Sequence, residues 1–326
     1  MLSLFKRNDI APVIALVVIA LLIRIPLLIH PPYIESLQGF HKGFLFSWPF
    51  LKSFYTSAPT VYMLLSLVLH LCFAFYINAA VDSEKLFPRK SFIPALAYIL
   101  YTALIPSLSI FSMVFVSSVL IFRAFALTLR LHSVSKPRNT CFNIGLLLGL
   151  SVVFYFPSIL LLLPFFLFLI WMRPFVLQEF IAYLIGFLTT AYLSLGFLYV
   201  LSDWQKSMAG LYWGIYLPIR ISSPIEFIMM TLLSVILLIY SLYQMNQSGS
   251  AMQVLTRRKW NAVVVLFFFS AILGIFFPVF PGFPWLMSMP AFCILLSQAM
   301  QTKREKMNTF TFYFLIAAVL ALSWLL

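Results

Sequence analysis

The chain has 326 residues, 63% of them hydrophobic and 9% charged, and its mean hydropathy is +1.05. Soluble domains are about 45–50% apolar and about 25% charged, so this sequence has too little polar side chain to clothe a water-soluble globule. A net charge of +13 raises nucleic acid as a partner. The lysines and arginines, however, stand in short clusters between apolar blocks, which is how a membrane protein fixes its orientation, so the pattern argues for lipid and against nucleic acid.

In chain order, Lys6 and Arg7 precede an apolar run from Ile10 to Ile29. The run is too long for a signal-peptide core and no small-x-small cleavage site follows it, so it reads as a retained first span. Further apolar blocks follow to the end of the sequence. The predicted fold is all-α: a polytopic membrane helix bundle of about eleven transmembrane helices, one transmembrane domain over residues 1–326 with no soluble domain. The approximate limits are 10–30, 58–80, 92–105, 107–130, 141–155, 157–172, 179–201, 224–245, 261–277, 284–300 and 308–326. Pro106 and Pro157 interrupt two long apolar stretches. Each stretch is read as a hairpin of two helices rather than one kinked helix, because proline removes a backbone donor and clashes with the preceding turn and a crossing needs only about 20 residues.

The basic residues test this topology. With the N-terminus cytoplasmic, the inner segments carry Lys6, Arg7, Lys85, Arg89, Lys90, Arg130, Lys136, Arg138, Arg173, Arg257, Arg258, Lys259, Lys303, Arg304 and Lys306. The outer segments carry only Lys42, Lys52, Lys206 and Arg220. The asymmetry follows the positive-inside rule and predicts an N-terminus inside and a C-terminus outside. Two outer loops, 31–57 and 202–223, hold aromatic clusters (Phe44, Trp48 and Phe54 in one; Trp204, Tyr212 and Trp213 in the other) suited to interfacial segments. Residues 246–260, containing "NQSGSA", read as a flexible cytoplasmic loop.

Few residues are available for chemistry. Of the eight acids, Glu35, Asp203 and Glu226 face outward in this topology. The four histidines show no HxxxH or HExxH spacing, so no metal site is expected. No phosphate-cradling glycine loop and no GxSxG elbow is present, and no cofactor is implied. Cys72, Cys141 and Cys293 form no CxxC and read as small buried residues. His70, mid-span, reads as a satisfied packing histidine; Arg123, near an inner helix end, reads as a snorkelling side chain. Pro174 and Glu179 read as a helix start with an acid at its positive end.

Arg24 and Glu35 bracket the end of the first span in "LLIRIPLLIHPPYIES". A cation at the centre of a span costs about 2.5–3.5 kcal/mol on insertion scales. Two readings stand: an arginine that relieves this cost by snorkelling outward, paired with Glu35, or a guanidinium that binds an anionic group such as a lipid phosphate, whose geometry it matches.

The same stretch resembles the start of multipass C-type (GT-C fold) polyprenyl-phosphate-sugar glycosyltransferases: a first span ending in Arg-x-Pro, a Pro-Pro turn, and an acid opening the first outer loop. Arg24, Pro26, Pro31, Pro32, Tyr33 and Glu35 fall on that pattern, and Ile34 stands where the family has a further acid. The resemblance implies a GT-C-like fold with Glu35 as the catalytic base on the acceptor hydroxyl. Arg24 or Arg220 would hold the donor phosphate, and Asp203 or Glu226 would be a second acid. The stretch Asn143 to Leu193 is similar to an uncharacterised inner-membrane family of the Bacteroidota.

Three functions follow as expectations. The first is an enzyme acting on lipid-linked sugars at the periplasmic face, with membrane lipid, specifically a polyprenyl-phosphate sugar, as its partner. The second is a non-catalytic scaffold or accessory subunit with a protein partner in an envelope or secretion complex, favoured by the scarcity of acids. The third is a lipid or solute transporter, against which stands the near absence of ionisable groups in the spans.

Overall fold

The computed structural model describes residues 2–6, 9–32, 49–104, 106–200, 224–249, 253–276 and 283–301, with isolated positions at 309, 313–314 and 316–317. All regular structure among them is helical. The α-helices are α1 (Leu2–Phe5), α2 (Ile10–Ile29), α3 (Pro49–Ser57), α4 (Pro59–Ser83), α5 (Ile93–Ala103), α6 (Met113–Arg130), α7 (Pro137–Phe154), α8 (Leu162–Met172), α9 (Leu177–Val200), α10 (Pro224–Gly249), α11 (Val254–Phe276) and α12 (Met289–Gln301). Short 3₁₀ turns at Pro106–Ser109, Phe156–Leu161 and Phe283–Met287 lead into α6, α8 and α12.

The chain is a multipass membrane protein. Four helices, Ile10–Ile29, Pro59–Ser83, Met113–Ser133 and Leu177–Phe197, are long and apolar enough to cross a bilayer. In hydrocarbon every backbone polar group must find an internal partner, and a helix provides this within one segment. Proline marks several starts, at Pro59 and Pro137, where its missing N–H has no intrahelical role to lose. Ser112 caps α6, its Oγ accepting from Phe115 N–H at 3.2 Å.

Both proline-interrupted stretches are two helices, as the sequence predicts. α5 ends before Pro106 and α6 starts at Met113; α7 ends before Pro157 and α8 starts at Leu162. The side-chain contacts sort helix ends into two groups. One end joins Phe5 O to Phe92 N–H, Arg130 and Lys259 to Glu84, Arg138 to Gln178, Arg173 to Leu131 O, Arg258 to Trp171 O, and Gln301 to Ser91. The opposite end joins Tyr55 to Pro32 O, Tyr62 to Phe111 O, Ser66 to Ser109 O, Ser117 to Ser151 O and Ser118 to Leu286 O. Helices α4, α5 and α6 therefore alternate in direction, as do α7, α8 and α9, and the first group of contacts gathers the basic clusters at one end.

The centre is built from the two short helices. Every residue of α5 and Met289 through Met300 of α12 are buried, with Tyr101 and Phe292 rings 4.6 Å apart between them. At about 1.5 Å per residue these helices are shorter than a hydrocarbon layer of about 30 Å. Protein surrounds them, so they need not match the lipid. The irregular backbone at their ends is satisfied by side chains instead: Ser109 Oγ donates to Thr102 O at 2.8 Å, and Ser66 and Tyr62 donate to Ser109 O and Phe111 O, each at 2.7 Å.

The outer helices are apolar on the exposed side. Ile14, Leu22 and Ile29 of α2, and Leu184, Leu188 and Leu193 of α9, are among the exposed residues. Within the bundle α9 runs parallel to α7 at close range. A Cβ on Gly145 would lie 1.9 Å from Tyr183 O, one on Gly186 2.1 Å from Phe142 O, and one on Gly149 2.8 Å from Thr190 Cβ. This is small-xxx-small packing, Gly145/Gly149 against Gly186/Thr190, which lets backbones touch where burial against lipid tails gives no hydrophobic gain.

Three expectations change. The loop 31–57 ends in a helix, α3, whose Leu51 and Tyr55 are buried. Of residues 246–260, those at 246–249 and 254–260 are helical rather than loop: α10 runs to Gly249 and α11 begins at Val254, because the basic run is made of good helix formers and Lys259 is drawn inward to Glu84. Cys72 is exposed, on the outward side of α4, while Cys141 and Cys293 are buried as expected.

Candidate functional site

Arg24 lies on the second-last turn of the first span and faces inward. It is 4% exposed. It does not snorkel, because α4 and α5 cover that side of α2. Its Nη2 donates to Thr102 Oγ1 at 3.1 Å, and Thr102 Oγ1 in turn donates to Tyr98 O at 2.8 Å. Thr102 and Tyr98 share a face of α5 through their i, i+4 spacing. The Arg24 Nε has no hydrogen-bond partner, and no ion pair to Arg24 is found among the described residues.

Two further polar groups complete the cluster. Tyr98 is fully buried and its hydroxyl lies 3.0 Å from His70 Nδ1, the two rings stacked 5.9 Å apart. His70 is 1% exposed and packs on Phe115 with ring centroids 4.5 Å apart. His70 Nε2 makes no hydrogen bond among the described residues. Arg24, His70 and Tyr98 lie within each other's electrostatic reach. His70 is thus packed, as the sequence predicts, but not fully satisfied: Nδ1 has Tyr98 and Nε2 is buried without a hydrogen bond.

Arg24 stands on the side of the cluster nearest the end of the bundle where α2 finishes. There His30 N–H donates to Pro26 O at 2.8 Å, and Tyr55 OH donates to Pro32 O at 2.5 Å, tying α3 to the chain leaving α2. Burial pushes the Tyr55 phenol up to about 12, so it stays a donor at neutral pH. Tyr55 and Tyr62 meet edge to face at 5.2 Å.

Of the candidate catalytic and binding residues read from the sequence, Arg24 alone is placed in this cluster. Glu35, Asp203 and Arg220 lie outside the described residues. Glu226 lies in the first turn of α10, with its side chain outside them. Arg123 is exposed and donates to Tyr76 OH at 3.2 Å. Sequence reasoning missed Tyr98 and Thr102. The available signal was the pair of hydroxyls one helical turn apart in "AYILYTA", in an otherwise apolar segment.

Chemically, a buried guanidinium with a spare donor can receive an anion. In low dielectric its charge is poorly compensated by a threonine hydroxyl, whereas a phosphate or carboxylate would satisfy both charge and hydrogen bonding. Among the described residues no group of three or more metal-ligating side chains occurs. No family model matches the chain, and neither a curated protein nor a solved structure shows significant similarity to it.

Proposed function

We propose that this protein is an inner-membrane enzyme of the GT-C type, with its N-terminus cytoplasmic and C-terminus periplasmic, that acts on polyprenyl-phosphate-linked sugars at the periplasmic face. About eleven spans complete this reading. Arg24 holds the donor phosphate, with Arg220 as a second cation. Glu35 is the general base on the acceptor hydroxyl, and Asp203 or Glu226 is the second acid. The observation that supports it is Arg24: a buried guanidinium with a free Nε and no carboxylate partner among the described residues. It stands about 8 Å below the end of α2, from which the segment carrying Glu35 departs. The test is to replace Glu35→Gln and Arg24→Gln separately in the host and to profile envelope glycans. Loss of one glycan with accumulation of its lipid-linked donor is expected in both. Unchanged glycans in both variants overturn the reading.

A second reading, a non-catalytic subunit of an envelope complex, is favoured by the broad exposed apolar face of α9. It predicts recovery of a defined membrane partner in mild detergent, lost on placing arginines at Leu184 and Leu188. Repeated recovery of the protein alone counts against it.

A further inference from the structure

At the charged end of the bundle, α6, α7, α8, α9 and α11 meet in a flank whose acids are already used. Glu84 is buried and holds both Arg130, at 2.5 Å, and Lys259, at 3.0 Å. Glu179 is buried and faces Arg173 at 3.9 Å. Lys136, Arg138, Arg257 and Arg258 remain exposed beside them. Among the described residues no exposed acid accompanies these four. The exposed Asp9 heads α2, whose neighbours are α4 and α5.

Two of the four cations are anchored by contacts of the fold, and Lys136 and Arg257 neighbour them in sequence. Arg138 donates to Gln178 in the first turn of α9, and Arg258 Nη1 donates to Trp171 O at the end of α8. Between them the connection from α8 to α9 presents exposed Trp171, Phe175 and Leu177. Directly below run the exposed apolar faces of α8 and α9, including Ile170, Ile181 and Leu184.

We infer that this flank binds the headgroup of an anionic glycerophospholipid, with the phosphate among Lys136, Arg138, Arg257 and Arg258 and the acyl chains along α8 and α9. The chemistry selects a lipid over a soluble anion, because the cations border aromatic and aliphatic surface rather than polar surface. Trp171 and Phe175 sit where aromatic side chains favour the headgroup level. The inference needs only that the bundle spans a membrane, and is independent of the glycosyltransferase reading.

The test uses the full chain in nanodiscs of phosphatidylcholine with and without phosphatidylglycerol, read by native mass spectrometry and thermal unfolding. Retained phosphatidylglycerol and a raised unfolding temperature are expected, with no effect of inorganic phosphate. Each surface cation contributes about fivefold to anionic-lipid binding, so R138Q/R258Q is expected to weaken retention about 30-fold. The pair R89Q/K90Q, outside the flank, should leave retention unchanged. If R138Q/R258Q does not fold, K136Q/R257Q, both exposed, replaces it with the same expectation. Equal retention of both lipids, or full retention by the flank variants, overturns the inference. So does stabilisation by inorganic phosphate or a soluble acidic peptide to the same degree as phosphatidylglycerol.

Discussion

Lys259 and Glu84, 175 positions apart in sequence, meet at 3.0 Å, and Lys259 Nζ also donates to the Glu84 backbone carbonyl at 3.0 Å. Both side chains are almost fully buried, with exposures of 6% and 5%. Their contact fixes the start of α11 to the end of α4. Arg130, on the other carboxylate oxygen, is 40% exposed and adds less.

The asymmetry of that trio gives the first prediction. Glu84→Gln leaves Lys259 buried without a counter-charge, and breaking a buried pair in this way costs about 3–5 kcal/mol. Lys259→Met costs less, because Glu84 keeps Arg130 and the lysine stem is replaced by apolar volume. Thermal unfolding in detergent should rank wild type first, K259M next and E84Q last. The reverse order of the two variants would show that the Lys259 bond to the Glu84 backbone carbonyl, which Glu84→Gln keeps, matters more than the ion pair.

Arg24 gives a prediction of opposite sign. A buried guanidinium with only a threonine partner carries a desolvation cost of about 2.5–3.5 kcal/mol on insertion scales. Arg24→Leu is therefore expected to raise the unfolding temperature while removing function in the host, as when a functional site holds strain that a core residue would release. A fall in stability would show that the guanidinium holds the fold together.

The helix crossing of α7 and α9 is tested with glycines. Alanine at Gly145 or Gly186 forces the new Cβ against backbone carbonyls, and overpacking of this kind costs about 1–3 kcal/mol. Gly196, on the same helix as Gly186, has nothing within 4 Å of its Cβ position. Gly196→Ala should be neutral or stabilising by up to about 1 kcal/mol. Equal effects at all three positions in thermal unfolding would remove the crossing as the cause.

Tyr98 and His70 are tested as a pair. Tyr98→Phe leaves His70 Nδ1 buried without its partner, at a cost of about 1–3 kcal/mol. Adding His70→Leu to that variant should recover part of the loss, since contacting residues couple by about 0.5–3 kcal/mol. Strict additivity in the double-mutant cycle would mean that the 3.0 Å contact carries no energy.

How much could be read in advance depended on the residue. Pro106 and Pro157 announced the two helix breaks, because the loss of a donor is a local property. Glu179 announced the first turn of α9, a local property too. The buried trio at Glu84 could not be read, because nothing in the spacing of residues 84, 130 and 259 brings them together. Cys72 was misjudged for the same reason: which face of α4 meets lipid is set by its neighbours. Residues 254–259 were misjudged because the loop read from the neighbouring "NQSGSA" was extended over them, while helix propensity and the Lys259 contact made them the first turns of α11.

The sequence by itself determined that this is a helical membrane protein with its basic residues gathered between spans, because hydrocarbon admits apolar helices and charge costs energy to carry across. Tertiary structure decided which polar atoms inside the bundle meet. Two readings of Arg24 stood in sequence, snorkelling outward beside Glu35 or binding an anionic group. Packing of α4 and α5 over that side of α2 chose the interior and set Thr102, Tyr98 and His70 around it. A side chain's cost depends on the dielectric and donors surrounding it, and those come from residues distant in the chain.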